Sequence, residues 1–333
     1  MRSLPIYGVD MFVGRKHELT LLREAISSSR AELVILYGRR RVGKSTLLQQ
    51  IKTRRGDLYF EALQNARLQV QIDHFLRQLA EQAGAPPSAA RNWHETFEAL
   101  TFHIRKGRRL VVLDEFPWMA SGRSEIVALL KYFWDNHWKH NPGLTVVLCG
   151  SIAAFMLRHI VHSKALHNRK TLEIKLAPLP ASEAKRFFRN LRSDREIAKF
   201  LMVFGGIPKY LEQIDPRKSL AANLDRLCFQ RHGFFLTEFE TVFKEQFKVT
   251  RTYERIIRIL AGKSCSREEL ADRLGMASGG GLSSYLQALE QADFVKTFSP
   301  LSVVGGGQKT RKLALWDEWL RFYFTWVEPH RGL

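Results

Sequence analysis

The residue pattern with the clearest chemistry lies at positions 38–45, which read GRRRVGKS. It matches G-x-x-x-x-G-K-[ST] at every fixed position, the pattern of a loop that binds nucleotide phosphates. Its glycines let backbone amides curve around phosphate oxygens, and the ammonium of Lys44 would reach the β and γ phosphates. The hydroxyl of Ser45 is a suitable ligand for Mg²⁺. The predicted nucleotide-binding residues of this phosphate loop are Gly38, Arg39, Arg40, Arg41, Val42, Gly43, Lys44, Ser45 and Thr46.

Two adjacent carboxylates follow the apolar run 110–113. At the end of a strand, Asp114 would belong to the magnesium shell, and Glu115 would orient and polarise an attacking water. The alternative is that both residues cap the next helix, because acidic side chains favour helix starts. Beside a phosphate loop, the pair predicts hydrolysis of the nucleotide.

A small polar residue, Ser151, ends the apolar run that begins at position 144. A small polar side chain at this strand end would lie between the attacking water and the γ-phosphate. Ser151 could also cap the helix that follows, and both roles are compatible. We expect Ser151 to be a catalytic residue together with Glu115 and Lys44.

These residues must be positioned by strands that end at one edge of a sheet. Continuous apolar runs occur at 33–37, 58–60, 109–113 and 144–148, and an alternating run occurs at 171–176. Helical patterns separate them, which is typical of a parallel α/β sheet buried on both faces. The phosphate loop follows the first run and opens a predicted helix over 44–53, whose N-terminus favours anions.

The second half of the chain is predicted to be mainly helical. Positions 182–247 read as helices with a break at 205–208, and three short helices and a strand-like wing follow from position 250. This order is typical of a winged helix-turn-helix. The predicted domains are an ATPase core at 1–180, a helical lid at 181–248, a winged helix-turn-helix at 249–315 and an aromatic C-terminal helix at 316–333.

Several motifs in the right order resemble the archaeal-type ATPases of the AAA superfamily, close to the STAND-like nucleotide switches. Besides the phosphate loop they are FVGR at 12–15, LDEF at 113–116, GS at 150–151, NRKT at 168–171 and FGGIPKYL at 204–211. The resemblance implies an α/β P-loop NTPase with an ASCE-type parallel sheet, followed by a helical lid and a winged helix.

The same resemblance implies roles for residues that spacing alone does not define. Val13, Gly14 and Arg15 would contribute to the adenine pocket, and Pro208 would pack on the base. Arg169 would contact the γ-phosphate, either within its own chain or from a neighbouring protomer. Arg169 also lies in a basic stretch, so a solvated or polyanion-binding surface is an equal alternative. ATP rather than GTP follows from the resemblance alone.

The charge of the chain is unusual, with a formal net charge of +19 and a pI near 10.1. The first 249 residues carry a surplus of 16 basic residues, and the remainder a surplus of 3. Such a balance favours polyanionic partners or serves solubility. The predicted recognition helix offers no cation, and the only basic cluster in the wing is Lys309, Arg311 and Lys312. Nucleic-acid contact and a packing or dimerisation role therefore both stay open.

The apolar runs are too short for a membrane helix of about 20 residues, and no secretory pattern opens the chain. Its cysteines, Cys149, Cys228 and Cys265, form no CxxC pair. We therefore expect a cytoplasmic protein without a membrane partner. The segment from Trp316 resembles the opening of a nuclease-like domain, and the sequence leaves open whether such a domain is truncated or missing.

Together these features predict an ATP-binding protein and slow Mg²⁺-dependent ATPase that acts as a conformational switch. Nucleotide-dependent homo-oligomerisation would fit this function. The alternative is a DNA-associated regulatory or defence module, or a DNA motor.

Overall fold

A computed structural model describes residues 12–330 apart from 53, 121–124, 152, 248–250, 278 and 301–310. Its first part is built on a five-stranded parallel sheet with the order β2-β3-β4-β1-β5. The sheet predicted from the apolar runs is confirmed. The strands are β1 (Glu32–Tyr37), β2 (Leu58–Glu61), β3 (Arg109–Asp114), β4 (Leu144–Gly150) and β5 (Leu172–Lys175).

The strand order brings the predicted chemical residues to one edge. In β1, Tyr37 is level with Gly150 of β4, and Leu148 of β4 is level with Leu113 of β3. The phosphate loop, Asp114 and Ser151 therefore all follow the carboxyl ends of neighbouring strands. This edge is where open parallel sheets bind their ligands.

Alternating residues of β1 enter two apolar layers. Leu33 and Ile35 belong to the layer on one face of the sheet, and Val34 and Leu36 to the layer on the other. All residues of β1 and β4 are buried, because helices cover both faces.

Helices separate the strands, as the sequence predicts, but α2 is shorter than predicted. That helix stops before the predicted position 53, because the amides of Gln50 and Ile51 bond to Leu47 and Leu48, three residues back, and tighten the last turn. The helices are α1 (Lys16–Ser27), α2 (Lys44–Gln49), α3 (Leu68–Ala83), α4 (Trp93–Ile104), α5 (Phe116–Met119), α6 (Glu125–Asn136) and α7 (Ala153–Phe155).

The second part of the chain is mainly helical. Serine–glutamate capping boxes fix the starts of two of its helices, at Ser193 and Ser266. Helix α9 ends at Phe204 and α10 begins at Pro208, as the Gly-Gly-Ile-Pro sequence predicts. The helices are α8 (Ala181–Ala184), α9 (Asp194–Phe204), α10 (Pro208–Leu211), α11 (Leu220–Leu224), α12 (Glu238–Gln246), α13 (Arg251–Gly262), α14 (Arg267–Leu274), α15 (Gly280–Gln291) and α16 (Glu318–Phe322).

A small antiparallel sheet accompanies α13 to α15. Its strands are β6 (Cys265–Ser266), β7 (Val295–Phe298) and β8 (Lys312–Leu315), in the order β6-β8-β7. The predicted glycine-rich connection at 305–307 and Lys309 lie outside the described residues.

Helices α8 to α12 share one hydrophobic core with the C-terminal module, which comprises α13 to α16 and the small antiparallel sheet. The buried residues of this core run from Leu179 to Val327 without separating into two groups. Trp319 lies inside it, with its ring centroid 4.1 Å from that of Phe235. The boundaries predicted within 181–333 therefore fall inside a continuous packed unit, and they stay predictions.

None of the helices in the described ranges is long and apolar enough to span a bilayer. The 16 residues of α3 fall short of the roughly 20 that a spanning helix needs.

Candidate nucleotide site

A cavity of about 600 Å³ opens at the carboxyl edge of the parallel sheet. It brings together the phosphate loop, the N-terminal FVGR segment, Glu115 and residues of the helical part that follows β5. Most of the predicted nucleotide-binding residues line it. The lining residues are Phe12, Val13, Arg15, Arg40, Arg41, Val42, Gly43, Lys44, Ser45, Thr46, Glu115, Phe187, Pro208, Lys209 and Glu212.

Both fixed glycines of the phosphate loop are required by its geometry. A Cβ atom at Gly38 would lie 2.3 Å from the carbonyl oxygen of Leu176, so the strand end could not approach the loop so closely. Gly43 has a φ of +89°, a conformation that side chains disfavour. The motif therefore specifies the shape of the loop as well as its chemistry.

The ammonium of Lys44 lies inside the curve of the loop. The residue is buried, and its Nζ donates hydrogen bonds to the carbonyl oxygens of Gly38 at 3.0 Å and Arg39 at 2.9 Å. These two acceptors compensate for the burial of the charge. The charge is therefore held at the wall of the cavity, where phosphate oxygens would enter.

Three hydrogen bonds hold the side chain of Asp114 next to the phosphate loop. Its Oδ2 accepts a hydrogen bond from Ser45 Oγ at 2.7 Å and another from the Tyr59 hydroxyl, and its Oδ1 accepts from the amide of Glu115 at 2.9 Å. Burial and the Asp114 charge raise the pKa of Tyr59, which keeps that hydroxyl protonated. Tyr59 comes from β2 and belongs to no motif, so sequence reasoning missed it.

The oxygen atoms of Ser45 and Asp114 are the hard donors that Mg²⁺ prefers. Among the described residues no group of three or more histidine, cysteine or acidic side chains could hold a metal. The protein could therefore supply only part of a magnesium shell here, and phosphate oxygens and water would complete it.

Glu115 is held by Ser151 rather than by the helix that follows it. Both carboxylate oxygens accept from Ser151 Oγ at 2.8 Å. Glu115 precedes α5, but its side chain makes no capping hydrogen bond to that helix. The sequence did not predict this contact between Glu115 and Ser151, and the capping alternative is not realised by Glu115.

One wall of the cavity is apolar. It is formed by Phe12 and Val13 from the N-terminal segment and by Phe187 and Pro208 from the helical part that follows β5. Pro208 lies over the loop, since a Cβ atom at Gly43 would be 3.9 Å from its Cγ. Flat apolar surfaces of this kind suit a nucleobase. Phe12 belongs to the FVGR motif, whereas Phe187 was missed because nothing in its spacing marks it.

Arg15 connects the N-terminal segment to the phosphate loop and to α8. Its amide donates to Glu183 at 3.0 Å, and its guanidinium donates to the carbonyl oxygens of Val42 at 3.0 Å and Ala177 at 2.6 Å. Burial lowers the pKa of Arg15, against the opposing charges of Glu18 and Glu183. Gly14, which also lies beside Glu183, does not line the cavity.

The arginines of the phosphate loop do not all face the cavity. The guanidinium of Arg39 pairs with Asp317 and lies 4.1 Å from the ring centroid of Phe294. Arg41 pairs with Glu238 at 2.8 Å, although it also lines the cavity. The structure therefore does not bring the Arg39 side chain into the cavity, where the motif predicted it.

Arg169 lies at the opposite edge of the sheet. The amide of Thr171 bonds to the carbonyl oxygen of Leu33, near the amino end of β1. The Arg169 guanidinium donates to both carboxylate oxygens of Asp135 at 2.7 Å. The expected contact with the γ-phosphate within one chain is therefore absent, because the length of β1 separates Arg169 from the loop. A contact from a neighbouring protomer stays a prediction.

Strand β4 lies between β1, which leads into the phosphate loop, and β3, which ends at Asp114. This strand order and the cavity together define a P-loop ATPase. Residues 12–214 match the model of a family described as an ATPase domain predominantly from Archaea. The chain belongs to this family and therefore contains a nucleotide-binding ATPase domain.

Two proteins of known sequence resemble this chain, one over nearly its whole length and one over a short stretch. An uncharacterised protein of Methanocaldococcus jannaschii is 26% identical over 320 residues, which cover 96% of this chain and 70% of that protein. An uncharacterised ATP-binding protein of the same organism is 51% identical over 45 residues, 14% of this chain and 76% of that protein.

Two solved structures share the fold. A Walker-type ATPase of Pyrococcus abyssi has a TM-score of 0.64 at 19% identity, over 94% of this chain and 96% of that one. The ORC2 protein of Aeropyrum pernix, in ADPNP and ADP complexes, has a TM-score of 0.52 at 16% identity, over 91% and 89% of the chains.

Proposed function

We propose that this protein hydrolyses ATP in a Mg²⁺-dependent reaction, by attack of water on the γ-phosphate. The observation that carries the proposal is that Lys44, Ser45 and Glu115 line one cavity while Ser45 is bonded to Asp114 behind it. A site that only bound nucleotide would not need a carboxylate at this point.

Each group has a distinct task in this reaction. The loop amides and Lys44 bind the phosphates, and the apolar wall that includes Pro208 accepts the base. Glu115 orients the attacking water, and Ser151 fixes the position of that carboxylate. Ser45 and Asp114 would hold Mg²⁺, which would neutralise charge on the phosphate oxygens.

Slow turnover is part of the proposal. The ammonium of Lys44 is bonded to two carbonyl oxygens of the loop. It must exchange these partners for phosphate oxygens before chemistry, which adds a conformational step.

We also propose that the second half of the chain is a lid and a winged helix-turn-helix that move with the nucleotide state. The order α13, β6, α14, α15, β7, β8 supports the winged helix. Contact between α15 and α7 supports a packing role on the core. Oligomerisation with nucleotide would be a further consequence.

The buried, free thiols of Cys149, Cys228 and Cys265 support a cytoplasmic location, where thiols stay reduced.

Paired variants test the ATPase proposal. Lys44→Ala should abolish ATP binding, because the buried charge that meets the phosphates is gone. Glu115→Gln should retain binding and lose about a hundredfold or more in turnover, because the amide no longer polarises water. Isothermal titration with ATP and phosphate release measure the two effects. The matched controls are Lys131→Ala and Glu98→Gln, both at exposed helix positions. Normal ATP binding by Lys44→Ala, or unchanged turnover in Glu115→Gln, would contradict the proposal.

A further inference from the structure

An ion pair connects the phosphate loop to the C-terminal module. The guanidinium of Arg39 and the carboxylate of Asp317 are 278 positions apart in the chain, and their side chains are only 5% and 3% exposed. A buried pair of this kind is highly constrained, since removing either charge leaves the other uncompensated. It is therefore a defined contact between two parts of the molecule.

A second group of the C-terminal module fixes the other side of Arg39. Its guanidinium carbon lies 4.1 Å from the ring centroid of Phe294, which comes just before β7. Burial alone would lower the pKa of Arg39, but Asp317 and other neighbours outweigh it and raise that pKa, so the guanidinium stays charged. A cation held between a carboxylate and an aromatic ring has little freedom.

The position of Asp317 is itself fixed by the shared hydrophobic core. Its Oδ1 caps α16 by accepting from the amide of Leu320, while its Oδ2 takes Arg39. Trp319 and Leu320 are both buried in that core. A movement of the C-terminal module would therefore carry the Asp317 carboxylate with it.

Arg39 also forms part of the nucleotide site through its backbone. Its carbonyl oxygen accepts from Lys44 Nζ at 2.9 Å. Arg39, which Asp317 and Phe294 hold, thus supplies one of the two oxygen atoms that accept hydrogen bonds from the Lys44 ammonium. Displacing the Arg39 side chain would alter the curve of the loop around Lys44.

The lid holds the same loop at a second point. Arg41 pairs with Glu238 of α12 at 2.8 Å, and its guanidinium carbon lies 5.4 Å from the ring centroid of Phe234. Arg41 has a φ of +69°, which side chains disfavour, so the loop needs external contacts to stay in this shape.

We propose that Asp317 and Phe294 are positioning residues of the nucleotide site, and that through Arg39 they couple ATP binding to the C-terminal module. This inference rests on the proposed function, because it assigns the regulation of the same site. Coupling is reciprocal: if the contact preshapes the loop for ATP, bound ATP must strengthen the contact by the same factor.

A double-mutant cycle tests the coupling. Asp317→Asn keeps a capping acceptor but loses the charge, and Arg39→Gln removes the partner. Each should weaken ATP binding about tenfold, and the neutral double variant should lose no more than either single one. Lys175→Gln is the matched control, since Lys175 pairs with Asp293 across the same boundary without contacting the loop. Circular dichroism verifies that each variant is folded.

Amide hydrogen exchange supplies a readout that a purely structural role would not change, and it requires no variant to start. In the wild-type protein, ATP should slow exchange at 313–322, and in the double variant this response should be lost. Absence of ATP binding by the wild type would refute the proposed function itself. Normal ATP binding without a response at 313–322, or Asp317→Asn binding ATP as tightly as Lys175→Gln, would overturn the coupling alone.

Discussion

At the scale of single residues, the hydrogen bonds of Ser151 hold the carboxylate of Glu115 in one orientation. Its hydroxyl is 2.8 Å from both oxygens of Glu115. Glu115 has a φ of +52°, an uncommon conformation for a residue with a side chain. Backbone strain of this kind is often found at functional sites, where it aims a side chain. The carboxylate thus depends on Ser151 for its orientation.

Ser151→Ala should therefore lower turnover about tenfold while leaving ATP affinity unchanged, because Glu115 would lose its fixed orientation. Equilibrium titration and single-turnover hydrolysis separate the two quantities. Equal losses in affinity and turnover would show instead that Ser151 binds the nucleotide. A rise in turnover would show that Ser151 restrains Glu115 from acting.

The residues of the site were predictable where a motif links type to spacing. Lys44, Ser45, Asp114 and Glu115 lie where the sequence predicts. The direction of the Arg39 side chain was not predictable, because it depends on a carboxylate 278 positions away. Motifs describe contacts with a ligand, whereas contacts between domains leave no local pattern.

At the scale of elements, Arg169 connects the chain before β5 to α6 through Asp135. The hydrogen bond from Arg169 is the main reason that the pKa of Asp135 is lowered. Because the folded pKa is depressed, the pair stabilises the fold above the unfolded pKa. That stabilisation is lost as the pH falls through the folded value.

Arg169→Gln should reduce the free energy of unfolding by about 1 kcal/mol or less at pH 7, since both groups are partly exposed. The difference from wild type should disappear in acid, once Asp135 is protonated in both proteins. Urea unfolding at several pH values measures this difference in the free energy of unfolding. Lys131→Gln is the control, because Lys131 lies 3.9 Å from the same Asp135 carboxylate and contacts it more weakly. A difference independent of pH would contradict the ion pair. A loss of turnover of about 10³-fold would instead indicate that Arg169 contacts the nucleotide bound to a neighbouring protomer.

The strands were predicted more reliably than their lateral arrangement. Continuous apolar runs identified β1, β3 and β4, since strands covered on both faces need no polar positions. The weaker edge strands β2 and β5 came out shorter and less buried. Helix lengths depend on local hydrogen bonds, which explains why α2 ends earlier than its composition indicated.

At the scale of the whole molecule, charge and packing favour different partners. The net charge of +19 attracts polyanions. The helix expected to read DNA, α15, carries no lysine or arginine and contacts α7 of the core. Base readout requires a free helix with donor side chains in the major groove, and α15 does not meet this requirement.

Duplex DNA should therefore change ATP turnover by less than about twofold, because α15 is engaged on the core. Steady-state phosphate release with and without DNA, at low and high salt, measures this. Strong stimulation that falls steeply with salt would instead support the motor. Light scattering of the same samples with and without ATP would detect nucleotide-dependent assembly.

Because the core from Leu179 to Val327 is continuous, a displacement of one part of the second half of the chain would shift its other parts as well. Arg15 is bonded to the carbonyl oxygen of Ala177, just after β5, where this half begins. If the second half moves with the nucleotide state, as proposed above, residues far from the cavity would therefore report that state.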